Sequence, residues 1–439
     1  MTFSRDATRA LLIRAFDAAV AAADPPRVLT DHWPAPPQGR VVLLALGKAA
    51  VGMARAAAEH YRSLGSEVGG VVVAPHDVAT PVEGLDVVGA GHPVPDAGSL
   101  RGGERLLGAA AAATSDDLVV LLISGGGSAL ASRPDGVDLD QLARLNRALL
   151  ASGAGVREIN QVRRRLDRVK AGGLAIAAFP ARRVALIVSD VVGDPPLDIA
   201  SGPASGDPAG PEGALAILDR YGVEAPEVRA RLAAERDGRR PGPPRPDDPR
   251  LVGCEVRIVA SAGRSLEAAR RLFGQAGFHA RVTSDAVEGD ARDAARAQAN
   301  EVRRLLREGR LADGRPLERP AALLSGGETT VTVRGDGQGG RNSTYALALA
   351  LALPDGAPVR ALIADSDGVD GVGGHAGAFV EPELFERLPR ARAEACDRDD
   401  DSRAAFARAD ALFEPGPTGT NVNDLRFVLV DGRDDGADA

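Results

Sequence analysis

Short uninterrupted apolar runs recur along the chain, most of them stopping at glycine or serine, and stretches of helical spacing lie between them. Val41–Leu46, Val71–Ala74, Leu118–Ile123 and Val184–Val188 are such runs. A strand that is apolar on both faces belongs inside a parallel sheet covered by helices. Around these runs, Ala10–Ala22, Ala49–Tyr61, a segment beginning near Ser99 and Leu139–Ala151 place their apolar residues with the period of a helix. The alternation predicts a doubly wound, mostly parallel α/β sheet for the N-terminal half.

The pattern breaks where Asp-Gly-Arg-Arg-Pro-Gly-Pro-Pro-Arg-Pro-Asp-Asp-Pro-Arg fills residues 237–250. Proline at that density stops both helix and sheet. The organisation predicted is an N-terminal domain over 1–238, a proline-rich linker over 239–250, and a smaller mixed α/β domain over 251–435. In the second part Glu255–Ala260, Ala321–Leu324 and a run ending at Asp365 read as strands, and Ser265–Ala276 and Ala291–Arg307 as helices. Tyr345–Leu353 lies in a buried core helix. Thr329–Val333 alternates polar with apolar residues, as a half-exposed antiparallel strand would.

Composition narrows the class. With 439 residues, 44% of them hydrophobic, the chain can build two substantial cores. A net charge of −8 and an aromatic content of 3% argue against nucleic acid as a partner. No apolar stretch is long enough for a membrane span, and the N-terminus has no signal-peptide core. Cys254 and Cys396 stand far apart and suit a reducing cytoplasm. Only two of the 53 basic residues are lysines, Lys48 and Lys170. In a chain drifted to arginine, a retained lysine points to a need for a compact ammonium.

The chemistry gathers at the strand ends. Ser124-Gly125-Gly126-Gly127-Ser128 follows the most apolar run, and bare backbone N–H groups there can cradle phosphate or carboxylate. Gly47-Lys48 stands between a strand and a helix, outside any Walker A pattern. Ser189-Asp190 and Gly193-Asp194 end another buried strand, pointing to the same crevice. The charged run Glu158–Lys170 reads as a solvated face, and His92, before a proline, as a packed loop histidine. Gly335-Asp-Gly337-Gln-Gly-Gly340 satisfies Gly-x-Gly-x-x-Gly, a dinucleotide fingerprint. Its alternating upstream strand and Asp336 inside the loop oppose that reading. Arg341, opening the next helix, is well placed to grip an anion. The Asp365–Gly371 run lacks the ligand pattern of an EF-hand. Glycine loops, a singular lysine and strand-ending acids together suit phosphoryl transfer.

The motifs also resemble the class II glycerate kinases. They are Gly47-Lys48-Ala-Ala, Ile123-Ser-Gly-Gly-Gly-Ser-Ala-Leu, Ile159-Asn160 with Arg163 and Lys170, Ser189-Asp-Val-Val-Gly-Asp and Ser201-Gly-Pro in the first part. Gly326-Gly-Glu-Thr-Thr, Gly339-Gly-Arg-Asn, Asp367-Gly-Val-Asp-Gly and Gly419-Thr-Asn-Val-Asn-Asp follow in the second. The order is consistent from about residue 40 to 430. The resemblance implies a Rossmann-like domain followed by a MOFRL-type domain, with ATP and D-glycerate in the cleft between, 2-phospho-D-glycerate as product and Mg2+ or another divalent cation as cofactor. It carries the catalytic roles onto Lys48 and Asp190. Phosphate or ATP contacts fall on Ser124, Gly125, Gly126, Gly127, Ser128, Asn160, Gly326, Gly327, Thr418 and Asn421. Substrate contacts fall on Arg163, Lys170 and Arg341, and the metal on Asp194 and Asp367. The expected partners are small molecules alone, for a monomer or homodimer in the cytoplasm. Leu166-Asp167, Ala171 and Asp365-Ser366 depart from the family pattern. An NAD(P)H-dependent hydroxypyruvate or tartronate reductase and a non-catalytic glycerate sensor are the alternatives.

Overall fold

The computed structural model describes residues 4–371 and 373–432. They form two compact units, one over 25–259 and one made of the described residues before 25 and after 259. In the first unit β1 (Val41–Leu46), β2 (Val68–Pro75), β3 (Asp86–Ala90), β4 (Leu118–Ile123), β5 (Arg182–Val188) and β6 (Cys254–Ala260) form one sheet in the order β3-β2-β1-β4-β5-β6. The pairs β1–β2, β2–β3, β1–β4 and β4–β5 are parallel. Every residue of β1 and β4 is buried, as their unbroken apolar runs require of strands covered on both faces. The strand order reverses between β1 and β4. In open α/β sheets a ligand crevice lies outside the carboxyl ends of the strands at such a switch point.

The proline-rich stretch is not where the units part. β6, expected to open the second domain, is the sixth strand of the first sheet, and residues 239–250 lie against its supports. Asp207 N–H donates to Pro244 O at 2.8 Å, and Arg183 donates to the carbonyls of Arg250 and Val252. Proline density ends local structure, but it carries no information about which sheet the next strand will join. The charged run after Glu158 differs from expectation too. Arg164 and Arg165 are buried and ion-paired with Asp198, Asp207 and Glu235, so they hold an internal charge network. Around them Leu139–Ala151, Val156–Arg164, Pro211–Arg220 and Pro226–Arg236 form a helical subcore on Leu145, Leu149, Val162, Leu218 and Leu232.

The second unit holds β7 (His279–Ser284), β8 (Gly289–Asp290), β9 (Ala321–Gly327), β10 (Thr329–Thr330), β11 (Val359–Asp365), β12 (Gly377–Val380), β13 (Leu412–Phe413) and β14 (Asp424–Val430). Its main sheet runs β13-β12-β11-β14-β9-β7. Only β7–β9 is parallel within it; the other four pairs are antiparallel. The strand expected over 329–333 shrinks to β10, two residues paired parallel with β8. The helix Arg5–Ala21 belongs to this unit, with Phe16 edge-on to Phe413 at 4.9 Å and Arg5 and Arg9 paired to Glu381. Among the described residues no helix is long and apolar enough to cross a membrane.

Candidate active site

At the switch point of the first unit, backbone contacts draw the strand ends together. Lys48 N–H donates to Gly125 O at 2.9 Å, and Ala49 N–H donates to Ser124 Oγ at 3.0 Å. The carboxylate of Asp190, at the end of β5, lies so close over Gly125 that a Cβ there would collide with it. Lys48 and Asp190 thus meet at one glycine. The three glycines serve different ends: Gly126 alone adopts a left-handed conformation (φ 80°), while Gly125 and Gly127 give room to Asp190 and Ala200. No hydrogen bond among the described residues occupies the N–H groups of Gly126, Gly127 and Ser128, which open the short helix Gly127–Leu130.

The other expected contacts of this unit divide into exposed and structural groups. Ser124 and Asn160 are buried. Ser124 Oγ holds Ala49, the residue just ahead of the helix Ala50–Ser63. Asn160 Oδ1 accepts from Ser201 Oγ at 3.0 Å, and Ser201 Oγ meets Ser128 Oγ at 2.8 Å. These side chains fix the loops. Lys170 is fully enclosed, with Nζ donating to Asp167 Oδ2 at 2.7 Å and to Ala131 O at 3.3 Å. It clamps the end of Gly127–Leu130. Asp167, where the family pattern expects serine, is therefore the partner this lysine needs when buried. Ala171, where glycine is expected, still takes φ 49°.

Arg163 is different. Its Nε donates to Asn146 Oδ1 at 2.6 Å, and its terminal nitrogens make no hydrogen bond among the described residues. Burial brings its pKa down to about 10, and Asp167 only partly opposes this. A desolvated guanidinium with so little compensation favours an incoming anion. Beside it stands His92, which the sequence did not single out as functional. Burial, then Lys48 and Arg163, push its imidazole down to about 4, so it is neutral at physiological pH. Asp194 is half-buried in the turn after β5, with φ 54°.

In the second unit the anion-gripping role expected of Arg341 is already filled from within. Nε donates to Asp424 Oδ1 at 2.7 Å, one terminal nitrogen to Glu328 Oε1 at 2.8 Å and the other to Asp365 Oδ2 at 2.7 Å. Asp424 also accepts from the buried Arg426 at 2.6 Å and from Asn342 Nδ2 at 2.8 Å. Burial, with Asp367 and Asp424 nearby, holds the Asp365 carboxyl well above the usual range despite Arg341. The N-terminus of helix Arg341–Ala352, expected to receive substrate, is likewise taken: Asp370 accepts from Asn342 N–H at 2.9 Å and Ser343 N–H at 2.8 Å. An internal carboxylate satisfies the dipole that an external anion would have sought.

The Gly335–Gly340 loop is filled in the same way. Gly335 N–H donates to Asp400 Oδ2 at 2.8 Å, Gly337 N–H to Asp399 O at 2.8 Å and Gln338 N–H to Asp401 Oδ1 at 3.3 Å. A Cβ at Gly335 would come 2.6 Å from Asp399 O. These glycines admit the chain's own acidic turn, where a dinucleotide fingerprint would admit pyrophosphate. Gly326 and Gly327 are buried at the end of β9 against Leu266 and Val287. Thr418 Oγ1 donates to Ser366 O at 2.5 Å, Asp367 O accepts from Thr418 N–H at 3.1 Å, and Asn421 Oδ1 accepts from Asn423 N–H at 3.0 Å. Loop 416–423 is thereby bound to the strand end that carries Asp367. Among the described residues no three His, Cys, Asp or Glu side chains are grouped to hold a metal ion. One or two carboxylates suffice for magnesium that arrives on phosphates.

Lysine, aspartate and a glycine loop gathered at the switch point of a parallel sheet suit an α/β enzyme that handles small anions. Residues 11–233 match the family described as a domain of unknown function, DUF4147, and residues 321–424 match the MOFRL family. The chain is 36% identical to a D-glycerate 2-kinase of Thermotoga maritima over 98% of this chain and 100% of that protein. It is 40% identical to a putative hydroxypyruvate reductase of Agrobacterium vitis over 98% and 96%. The crystal structure of glycerate kinase from Thermotoga maritima superposes with a TM-score of 0.84 at 35% identity, covering 97% of this chain and all of that one. The chain belongs to the MOFRL-containing glycerate kinase family and is a phosphotransferase.

Proposed function

We propose that the protein transfers the γ-phosphoryl group of ATP to D-glycerate, giving 2-phospho-D-glycerate. The observation that carries this reading is the convergence of Lys48 and Asp190 on Gly125 at the switch point. In phosphoryl transfer the protein chiefly positions the reactants and offsets their charge. Asp190 orients the attacking hydroxyl and accepts its proton. Lys48 stabilises the charge that develops on the transferred group, and the N–H groups of Gly126, Gly127 and Ser128 receive phosphate oxygens. Arg163 binds the glycerate carboxylate. Thr418 and Asn421 are the proposed nucleotide contacts of the second unit, with Gly326 and Gly327 shaping the strand end beneath them. Magnesium, arriving with the nucleotide, would supply further charge neutralisation, and Asp194 and Asp367 are the carboxylates that would hold it.

The reductase reading is supported by the name of the Agrobacterium vitis relative, but the filled Gly335–Gly340 loop leaves it without a pyrophosphate site. The deciding experiment follows ADP release with D-glycerate and ATP, coupled to enolase to identify the 2-phospho product, beside NADH oxidation with hydroxypyruvate. ADP release with an enolase signal supports the proposal. NADH oxidation without ADP release overturns it, and glycerate binding with neither signal makes the protein a sensor.

A further inference from the structure

We propose that His92 reads the non-reacting hydroxyl of the substrate, as a neutral hydrogen-bonding group between Lys48 and Arg163. The inference rests on the glycerate kinase reading and adds a specificity residue to it. His92 lies in the loop between β3 and the helix Ala97–Ala111, and that loop is braced by one carboxylate. Asp96 Oδ1 accepts from Gly91 N–H at 3.0 Å and Ser99 N–H at 2.9 Å, while Oδ2 meets His76 Nε2 at 2.7 Å. The braced loop holds the imidazole against Gly126. A Cβ there would lie 3.2 Å from His92 Cδ2, 3.3 Å from its Nε2 and 3.4 Å from Lys48 Cγ. The ring edge and the lysine stem therefore flank the one left-handed glycine of the loop.

Neither ring nitrogen of His92 makes a hydrogen bond among the described residues, whereas Nε2 of His76 reaches Asp96 and Nε2 of His375 reaches Ser343. The charged groups acting on the ring are Lys48 and Arg163, both cations. Their own charges serve the anionic parts of a ligand. A neutral imidazole, with one donor and one acceptor, complements a group that can likewise either donate or accept: a hydroxyl. In a 2-phosphorylation the hydroxyl left over is that on C3.

D-Lactate, which lacks the C3 hydroxyl, is the probe. The experiment measures kcat/KM for D-glycerate and the inhibition constant of D-lactate for wild type, His92→Leu and His92→Gln. In His92→Leu, kcat/KM for D-glycerate should fall about 10- to 100-fold, the scale of losing one such hydrogen bond in a desolvated site, with D-lactate inhibition unchanged. His92→Gln, which keeps a neutral donor and acceptor, should recover part of the loss. Unchanged D-glycerate kinetics in His92→Leu, or equal weakening of both ligands, would overturn the assignment. A wild-type enzyme that releases no ADP with D-glycerate would instead remove the kinase reading on which it rests.

Discussion

The strand ends Ser124-Gly125-Gly126 and Ser325-Gly326-Gly327 look alike in sequence, yet they carry opposite charge balances. Around the first stand Lys48, Arg163 and Asp190, with His92 held neutral. Around the second, Arg341 and Arg426 are matched against Asp365, Asp367, Asp424 and the more exposed Glu328. Arg163 lacks a carboxylate hydrogen bond, and burial draws its pKa downward; Arg341 is gripped by three carboxylates, which raise its pKa. Both arginines stand near glycine loops, and sequence gives them the same expected role. What separates them is compensation: Arg163 is undercompensated, as suits the ligand group proposed for it, whereas Arg341 is saturated by carboxylates of its own unit.

That contrast is tested first by Lys48→Ala. Loss of a preorganised electrostatic group should lower turnover by about 10²- to 10³-fold, with the denaturant midpoint unchanged. Lys48→Arg should not restore the rate, since a planar fork replaces a compact ammonium. Arg341→Ala should act through stability instead. Removing the cation leaves Asp365 buried without its arginine and Asp424 with Arg426 alone, at a cost of about 3 kcal/mol, read from urea unfolding. A stable Arg341→Ala enzyme with a raised KM would make Arg341 a ligand group after all and collapse the comparison.

Arg163→Ala should show the converse: KM for glycerate up by about 10- to 100-fold and little change in unfolding. The smallest expected effect is on the pH dependence of stability. Folded His92 binds a proton only below about 4, while the unfolded chain binds it below about 6.5. Within that window the unfolded state holds more protons, so stability falls as pH is lowered. Denaturant titrations at several pH values should show a shallower fall in His92→Leu.

The parts of the fold legible in the sequence are those fixed by continuous burial. β1 and β4 coincide with their apolar runs, and the switch point between them places Lys48 and Asp190 where strand-end chemistry was expected. β14, at the centre of the second sheet, is not legible in this way. Its run Asp-Leu-Arg-Phe-Val-Leu-Val contains Arg426, which is fully buried because Asp424 neutralises it and Tyr345 lies under its guanidinium at 4.7 Å. No local pattern foretells that a charge will be compensated from a strand end and a helix. The same holds for Asp370, which caps a helix 28 residues before it in the chain, and for Asp399–Asp401, which fill a glycine loop more than 60 residues upstream. Membership of β6 depends on long-range pairing, so the proline-rich stretch misplaces the boundary. Lys170 shows that a rare residue type can be retained for a buried pair as well as for a site.

The helix Arg5–Ala21 has a consequence for how the molecule is made. It is synthesised well before its partners: Glu381 and Phe413, which receive Arg9 and Phe16, come nearly 400 residues later. At roughly 5–20 residues per second, translation keeps these partners apart for about 20–80 s. During that interval Leu11, Leu12 and Phe16 are an apolar stripe without a core, while the sheet of residues 25–259 is synthesised in full. The second unit can therefore close only after β14 has been made.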